Sequence, residues 1–98
     1  MTKKETVLDA IVAQGSLPLF YFDDQEVSLQ ITRTLYKAGI RVFEYTNHGS
    51  QALDNFIELK KLQQAEMPDL YLGIGTIKTV DQAETFLSAG ADFVVAPV

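Results

Sequence analysis

Ninety-eight residues suffice for one small domain with a marginal core, since a short chain buries a smaller share of its surface than a long one. Hydrophobic residues at 47% and charged residues at 21% match ordinary globular usage and argue against disorder or a membrane class. A net charge of -5, with no basic cluster beyond Lys3-Lys4 and Lys60-Lys61, argues against nucleic acid as a partner; the lack of cysteine and the single His48 exclude a disulfide, a thiolate metal site or an imidazole cluster.

Thr2 to Gln14, with Thr2 and Glu5 as a capping box, predicts a helix ahead of the first strand. Leu17 to Phe22 is the first of four short apolar runs rich in β-branched and aromatic residues. Asp23 or Asp24 then caps a helix with Val27, Ile31, Leu35 and Ala38 inward, closed by Gly39 in the left-handed conformation. The second run is Ile40 to Tyr45. Ser50 caps the next helix, with Ala52, Leu53, Phe56 and Ile57 inward, which stops before Pro68. Leu70 to Gly75 follows, and then Thr79 and Gln82 open a helix carrying Val80, Ala83 and Leu87 inward to Gly90. Asp92 to Ala96 is the last run.

Nearly continuous apolar runs alternating with helices predict parallel strands covered on both faces. The corner Ala38-Gly39 before Ile40-Arg41-Val42-Phe43 is echoed by Ala89-Gly90 before Ala91-Asp92-Phe93-Val94, two βα units later. Right-handed crossovers allow an open doubly wound sheet or part of a barrel. A complete barrel takes ~200 to 250 residues. The expected fold is therefore the N-terminal half of a (β/α)₈ TIM barrel, four parallel βα units with an extra N-terminal helix, cut from a longer protein. The polar start Met1-Thr2-Lys3-Lys4-Glu5 has no signal-peptide core, and no apolar run approaches the ~20 residues of a membrane span, so a cytoplasmic location and no membrane partner are expected.

Glu44 interrupts the run Val42-Phe43-Glu44-Tyr45. Strand alternation puts Phe43 and Tyr45 on one face and Val42 and Glu44 on the other, the interior of a barrel, where a lone carboxylate must be paired, hydrogen-bonded or used. The bland alternative is a sheet edge where Glu44 reaches water. Gly73-Ile74-Gly75-Thr76 ends a strand with glycines that admit a ligand close to the backbone and a threonine that suits a carboxylate or phosphate; a tight strand end is the competing reading. Thr46-Asn47-His48-Gly49-Ser50 leads into a helix N-terminus, which favours an anion, or is simply a solvated turn. Lys78 lies between Thr79, Asp81 and water and reads as an exposed charge rather than an amine nucleophile. Phe20, Tyr21 and Phe22 read as packing residues, with Tyr21 also suited to a mouth.

Three segments in register, Ala38-Gly39-Ile40-Arg41-Val42-Phe43-Glu44-Tyr45-Thr46, Gly73-Ile74-Gly75-Thr76-Ile77 and Ala89-Gly90-Ala91-Asp92-Phe93-Val94-Val95-Ala96-Pro97, resemble the 2-keto-3-deoxy-6-phosphogluconate / 4-hydroxy-2-oxoglutarate aldolase family. The resemblance implies a homotrimeric class I aldolase that needs no metal or other cofactor. It implies cleavage of a 2-keto-4-hydroxy acid, often phosphorylated, to pyruvate and an aldehyde through a lysine Schiff base. By the same resemblance Glu44 matches the general acid/base, Gly75 and Thr76 the binding of the pyruvyl carboxylate, and Pro97 a residue shaping the mouth. His48 stands where the family usually has an arginine, which exchanges a permanent bidentate charge for a partly protonated ring. The family's Schiff-base lysine and phosphate site fall beyond Val98, which makes the 98 residues alone inactive by expectation. Two alternatives remain beside this reading: a non-catalytic anion-binding or self-assembling half-barrel, and another phosphate-handling barrel enzyme.

Overall fold

The structure, a computed structural model, describes residues 2–96. Local hydrogen bonds set most helix starts. Helix α1 (Lys3–Gln14) begins where the Thr2 hydroxyl accepts the Glu5 amide at 3.1 Å, and α2 (Gln25–Lys37) where Asp24, rather than Asp23, accepts the Val27 amide at 3.0 Å. Helix α3 (Ala52–Glu66) starts without a side-chain cap: Gln51 precedes it, and Ser50 does not serve. In α4 (Val80–Ser88) the Thr79 hydroxyl accepts the Gln82 amide at 3.1 Å, while Gln82 Oε1 accepts the Lys78 amide at 2.9 Å, so the box closes on the residue before the cap.

Strands β1 (Leu19–Phe20), β2 (Val42–Thr46) and β3 (Tyr71–Gly75) form a parallel sheet in chain order, with Leu19 opposite Glu44, Glu44 opposite Gly73, and Thr46 opposite Gly75. Three βα units are formed, not the four expected. Residues 92–95 run alongside β3, with Ile74 donating to the Phe93 carbonyl at 3.1 Å and Val95 to the Ile74 carbonyl at 2.8 Å, yet they make only the single parallel bridge Ile74 to Val94. The Asp92 carboxylate takes the Leu72 amide at 2.8 Å, removing from the ladder the bond that continues it downward. The first strand is also shorter than the run Leu17 to Phe22. Pro18 has no amide to give, and the Phe22 carbonyl is turned toward side chains, accepting Tyr45 Oη at 2.9 Å and Asn55 Nδ2 at 3.2 Å.

Phe43, Tyr45, Leu72 and Ile74 face the helices and pack with Phe56, Leu59, Leu62 and Phe86 into the core. Two helices bury other residues than periodicity predicted. In α2 the fully buried positions are Ser28 and Thr32, with Leu29, Leu35 and Tyr36 beside the core and Ala38 exposed. Small hydroxyl side chains bring the helix close to the sheet and satisfy themselves on the helix, Thr32 donating to the Ser28 carbonyl at 2.9 Å. In α4 Phe86 is buried, whereas Val80 and Leu87 are exposed. The large ring claims the sheet-facing direction by meeting Phe56 edge to face at 5.5 Å.

Helix α1 is fastened across the foot of the sheet. Gln14 Oε1 accepts the Arg41 and Val42 amides at 2.7 and 3.0 Å, and its Nε2 donates to the Val42 carbonyl at 2.9 Å, so one side chain acts as a short substitute strand. Among the described residues no helix is long and apolar enough to cross a membrane.

Candidate active site

Glu44 lies on the sheet face opposite α2 and α3. Phe43 and Tyr45 take the helix side, so alternation leaves Val42, Glu44 and Thr46 on the other, together with Gly73 and Gly75 of β3. Glu44 is only 6% exposed. Burial pushes its carboxyl above the usual glutamate value, and among the described residues no hydrogen bond or cation pulls it back.

Glycines explain where that carboxyl rests. A Cβ on Gly73 would stand 2.2 Å from the Phe93 ring, and one on Gly75 would stand 1.9 Å from Glu44 Oε2. Phe93 therefore fills the space over Gly73, directly opposite Glu44, and the carboxylate leans one pleat toward the C-terminal end of the sheet to lie on Gly75. Close approach at these glycines is real, but a ring and the candidate acid make it. The expected role of Gly75 as a substrate contact meets a space already held by Glu44.

Thr76 follows at once, with φ of 59°, a left-handed conformation that a β-branched residue adopts at a cost of roughly 1 to 3 kcal/mol. The strained turn stops β3 beside Glu44. Thr46 was legible only as part of a turn; it is the last residue of β2, and its Oγ1 is buried without a hydrogen-bond partner among the described residues. Alternation from Glu44 was the signal that could have found it.

His48 and Thr76 lie on opposite sides of β2. The imidazole is exposed and packs at 5.8 Å from the Tyr21 ring, on the β1 side, whereas Thr76 belongs to the β3 side. Tyr21 donates to Asp23 at 2.7 Å; burial first, and then that bond, push its phenol up to about 12. Its hydroxyl would lie 3.2 Å from a Cβ on Gly49, so Tyr21 covers the turn that carries His48. Lys78 is exposed, as expected. Pro97 lies outside the described residues.

Two other features compete for attention. A cavity of about 410 Å³ opens at the foot, between α1 and residues 92–95, lined by Val7, Leu8, Ile11, Leu17, Phe93 and Val95 among others. Its lining is mostly apolar, with Lys3, Lys4 and Asp92 at its polar edge, which makes it a less suitable place for acid–base chemistry than the surroundings of Glu44. Nearby, Asp92 pairs with Lys3 at 2.9 Å and Lys60 at 3.2 Å and accepts Gln63 Nε2 at 2.9 Å. Burial alone would raise Asp92, but the Leu72 amide, Lys3, Gln63 and Lys60 together hold it below its usual value.

The Glu44 carboxyl and Thr76 both lie toward the C-terminal end of the parallel sheet, the end at which barrel enzymes carry their sites. The family model described as "Aldolase: KDPG and KHG aldolase" matches residues 8–98. The chain belongs to this aldolase family. It is 32% identical over 92 residues to the 2-dehydro-3-deoxy-phosphogluconate aldolase of Treponema pallidum, covering 94% of this chain and 42% of that protein. To the Haemophilus influenzae protein of the same name it is 35% identical over 81 residues, covering 83% of this chain and 36% of that one. The crystal structure of KDPG aldolase from Legionella pneumophila, with pyruvate captured as a covalent carbinolamine intermediate, is similar at a TM-score of 0.72 and 28% identity over 83% of this chain and 37% of that one. The Zymomonas mobilis enzyme gives a TM-score of 0.71 at 26% identity, with the same coverage. The three parallel strands and four helices thus match part of the KDPG aldolase barrel, and the chain spans less than half the length of these relatives.

Proposed function

We propose that this chain supplies the acid–base portion of a Schiff-base aldolase that cleaves a 2-keto-3-deoxy sugar acid, of phosphogluconate type, to pyruvate and an aldehyde. The amine belongs to the rest of the barrel. The observation that carries the reading is the Glu44 carboxyl, buried over Gly75 with no partner among the described residues to fix its proton.

Such a group serves both directions of proton transfer, because a raised value brings it closer to the operating pH. Once a lysine amine has added to the substrate's C2 carbonyl, protonated Glu44 gives its proton to the C2 hydroxyl. The C–O bond breaks, water leaves and the nitrogen lone pair completes the iminium. The resulting carboxylate takes the proton from the C4 hydroxyl as the C3–C4 bond breaks; the aldehyde departs and the electron pair enters the iminium as an enamine. Glu44 returns the proton to C3 before water releases pyruvate. Thr76 holds the pyruvyl carboxylate in this reading, and His48, on the other side of β2 against the Tyr21 ring, stands in the sequence where the family has an arginine. Gly75 lets Glu44 reach this position, and Pro97 shapes the mouth. The assembled protein is a homotrimer in this reading, which sedimentation measures.

Borohydride reduction in the presence of pyruvate tests the reading on a chain that includes the whole barrel. A pyruvate adduct on one lysine is expected there, and none on the 98 residues alone. A folded whole barrel that traps nothing refutes the aldolase assignment. Glu44→Gln should still bind pyruvate while turnover falls by roughly 100-fold or more, the usual share of a general acid/base; unchanged turnover removes Glu44 from the mechanism.

A further inference from the structure

Among the described residues only two side-chain polar atoms are buried without a hydrogen-bond partner, Thr46 Oγ1 and Gln63 Oε1. They are not equivalent. The Gln63 amide is anchored through its other end, donating to the Leu70 carbonyl at 2.6 Å and to Asp92 at 2.9 Å. Thr46 makes no side-chain bond at all. The other buried hydroxyls are bonded: Ser28 and Thr32 turn back onto the carbonyl four residues earlier, as helical residues can, and Tyr45 donates to the Phe22 carbonyl. A strand offers no such carbonyl, and a buried hydroxyl left unbonded calls for an explanation.

Register supplies one. Thr46 is paired with Gly75, and Gly75 is the residue on which the Glu44 carboxylate lies. Although Glu44 originates one pleat lower, opposite Gly73, its lean brings the carboxylate to the level of Thr46, on the same face and toward the neighbouring strand. Adjacent strands are about 4.8 Å apart, a separation that one oxygen atom between the two groups spans with a hydrogen bond to each. No hydrogen bond joins the two side chains among the described residues, so neither satisfies the other.

We propose that the Thr46 hydroxyl is a substrate-contacting group that donates a hydrogen bond to the oxygen Glu44 protonates. That oxygen is the C2 hydroxyl of the lysine adduct, which leaves as water; the proton comes from Glu44 and Thr46 transfers none. This inference rests on the aldolase reading and adds a residue to it. A neutral donor suits the position, because it orients the leaving oxygen without lowering the proton affinity of Glu44 as a cation would.

The test compares Thr46→Val, which keeps the shape and removes the hydroxyl, with Thr46→Ser, which keeps the hydroxyl, in a chain containing the whole barrel. Turnover, KM, the rate of borohydride-trapped pyruvate adduct and the melting temperature are read for each. Thr46→Val should lower kcat and the trapping rate about 10-fold, the effect of one lost hydrogen bond in the transition state, with KM changed little. Its melting temperature should stay level or rise, since an unbonded buried hydroxyl has gone. Thr46→Ser should remain within about threefold of the parent. Unchanged kcat in Thr46→Val, or equal loss in both variants, overturns the role of Thr46 while leaving the aldolase reading standing. If Thr46→Val does not fold, Thr46→Ala against Thr46→Ser makes the same comparison. A parent protein that neither traps pyruvate nor turns over removes the aldolase reading and this inference with it.

Discussion

Asp92 and Glu44 are carboxylates drawn out of water at opposite ends of one sheet, and the fold handles them in opposite ways. At the foot, Asp92 receives a backbone amide, an amide side chain and two ammonium groups, and its proton is held off below the usual value. Toward the C-terminal end, Glu44 receives none among the described residues, and burial pushes its proton affinity up. A carboxylate supplied with every partner ties elements together, here α1, α3, β3 and the segment after α4. One left without partners contributes no stability at neutral pH and keeps its proton available.

Removing Asp92 should have the largest effect. Asp92→Ala leaves Lys60, whose side chain is 8% exposed, with its charge unpaired, a loss of about 3 to 5 kcal/mol read from urea denaturation. A change under about 1 kcal/mol would place this pair with surface ion pairs instead. Its acid dependence has a definite sign. Because the folded value of Asp92 is depressed, its stabilisation is complete above the ordinary value of 3.8 and is lost as pH falls through the folded value.

The two glycines of β3 separate structure from site more finely. Gly73→Ala drives a methyl into the Phe93 ring and should lose about 1 to 3 kcal/mol. Gly75→Ala meets the end of a flexible chain, so it should cost less in stability but push the Glu44 carboxylate off its seat and let its proton affinity fall toward the ordinary range. Carboxyl titration of the two variants by NMR measures this, and an unmoved Glu44 in Gly75→Ala contradicts it.

Glu44→Gln gives the smallest effect and the opposite sign from Asp92. Below the ordinary value of 4.5 Glu44 is protonated folded and unfolded; as pH rises through the raised folded value, ionisation costs stability. The variant should therefore have a higher urea midpoint than the parent at neutral pH and an equal one near about pH 4. A midpoint lowered at neutral pH would mean that Glu44 has a stabilising partner.

Much of this contrast was legible in the chain, and the illegible part has physical causes. Glu44 stood out because charge inside an apolar strand is expensive, and alternation then fixed its face. Asp92 did not, since its partners come from residues 3, 60, 63 and 72, and Lys60 beside Lys61 reads as an ordinary surface pair. The glycines were legible as points of close approach, but the atoms approaching them depend on register between strands, which separate runs of sequence do not specify. Helix faces failed where packing overrode hydrophobicity: Ser28 and Thr32 went inside α2 for their small size, and Phe86 displaced Val80 and Leu87 from the sheet side of α4. The fourth strand stayed a single bridge where the Leu72 amide goes to the Asp92 carboxylate instead of to a backbone carbonyl, even though the Asp92 amide donates to the Leu72 carbonyl.

Carboxyl carbon chemical shifts of Glu44 and Asp92, followed through one pH titration of the folded protein, test the central contrast most directly. Glu44 should titrate above 4.5 and Asp92 below 3.8 in the same sample. Glu44 titrating at or below its ordinary value would contradict the account, since it would require a partner for the carboxylate that leaves it unfit to carry protons.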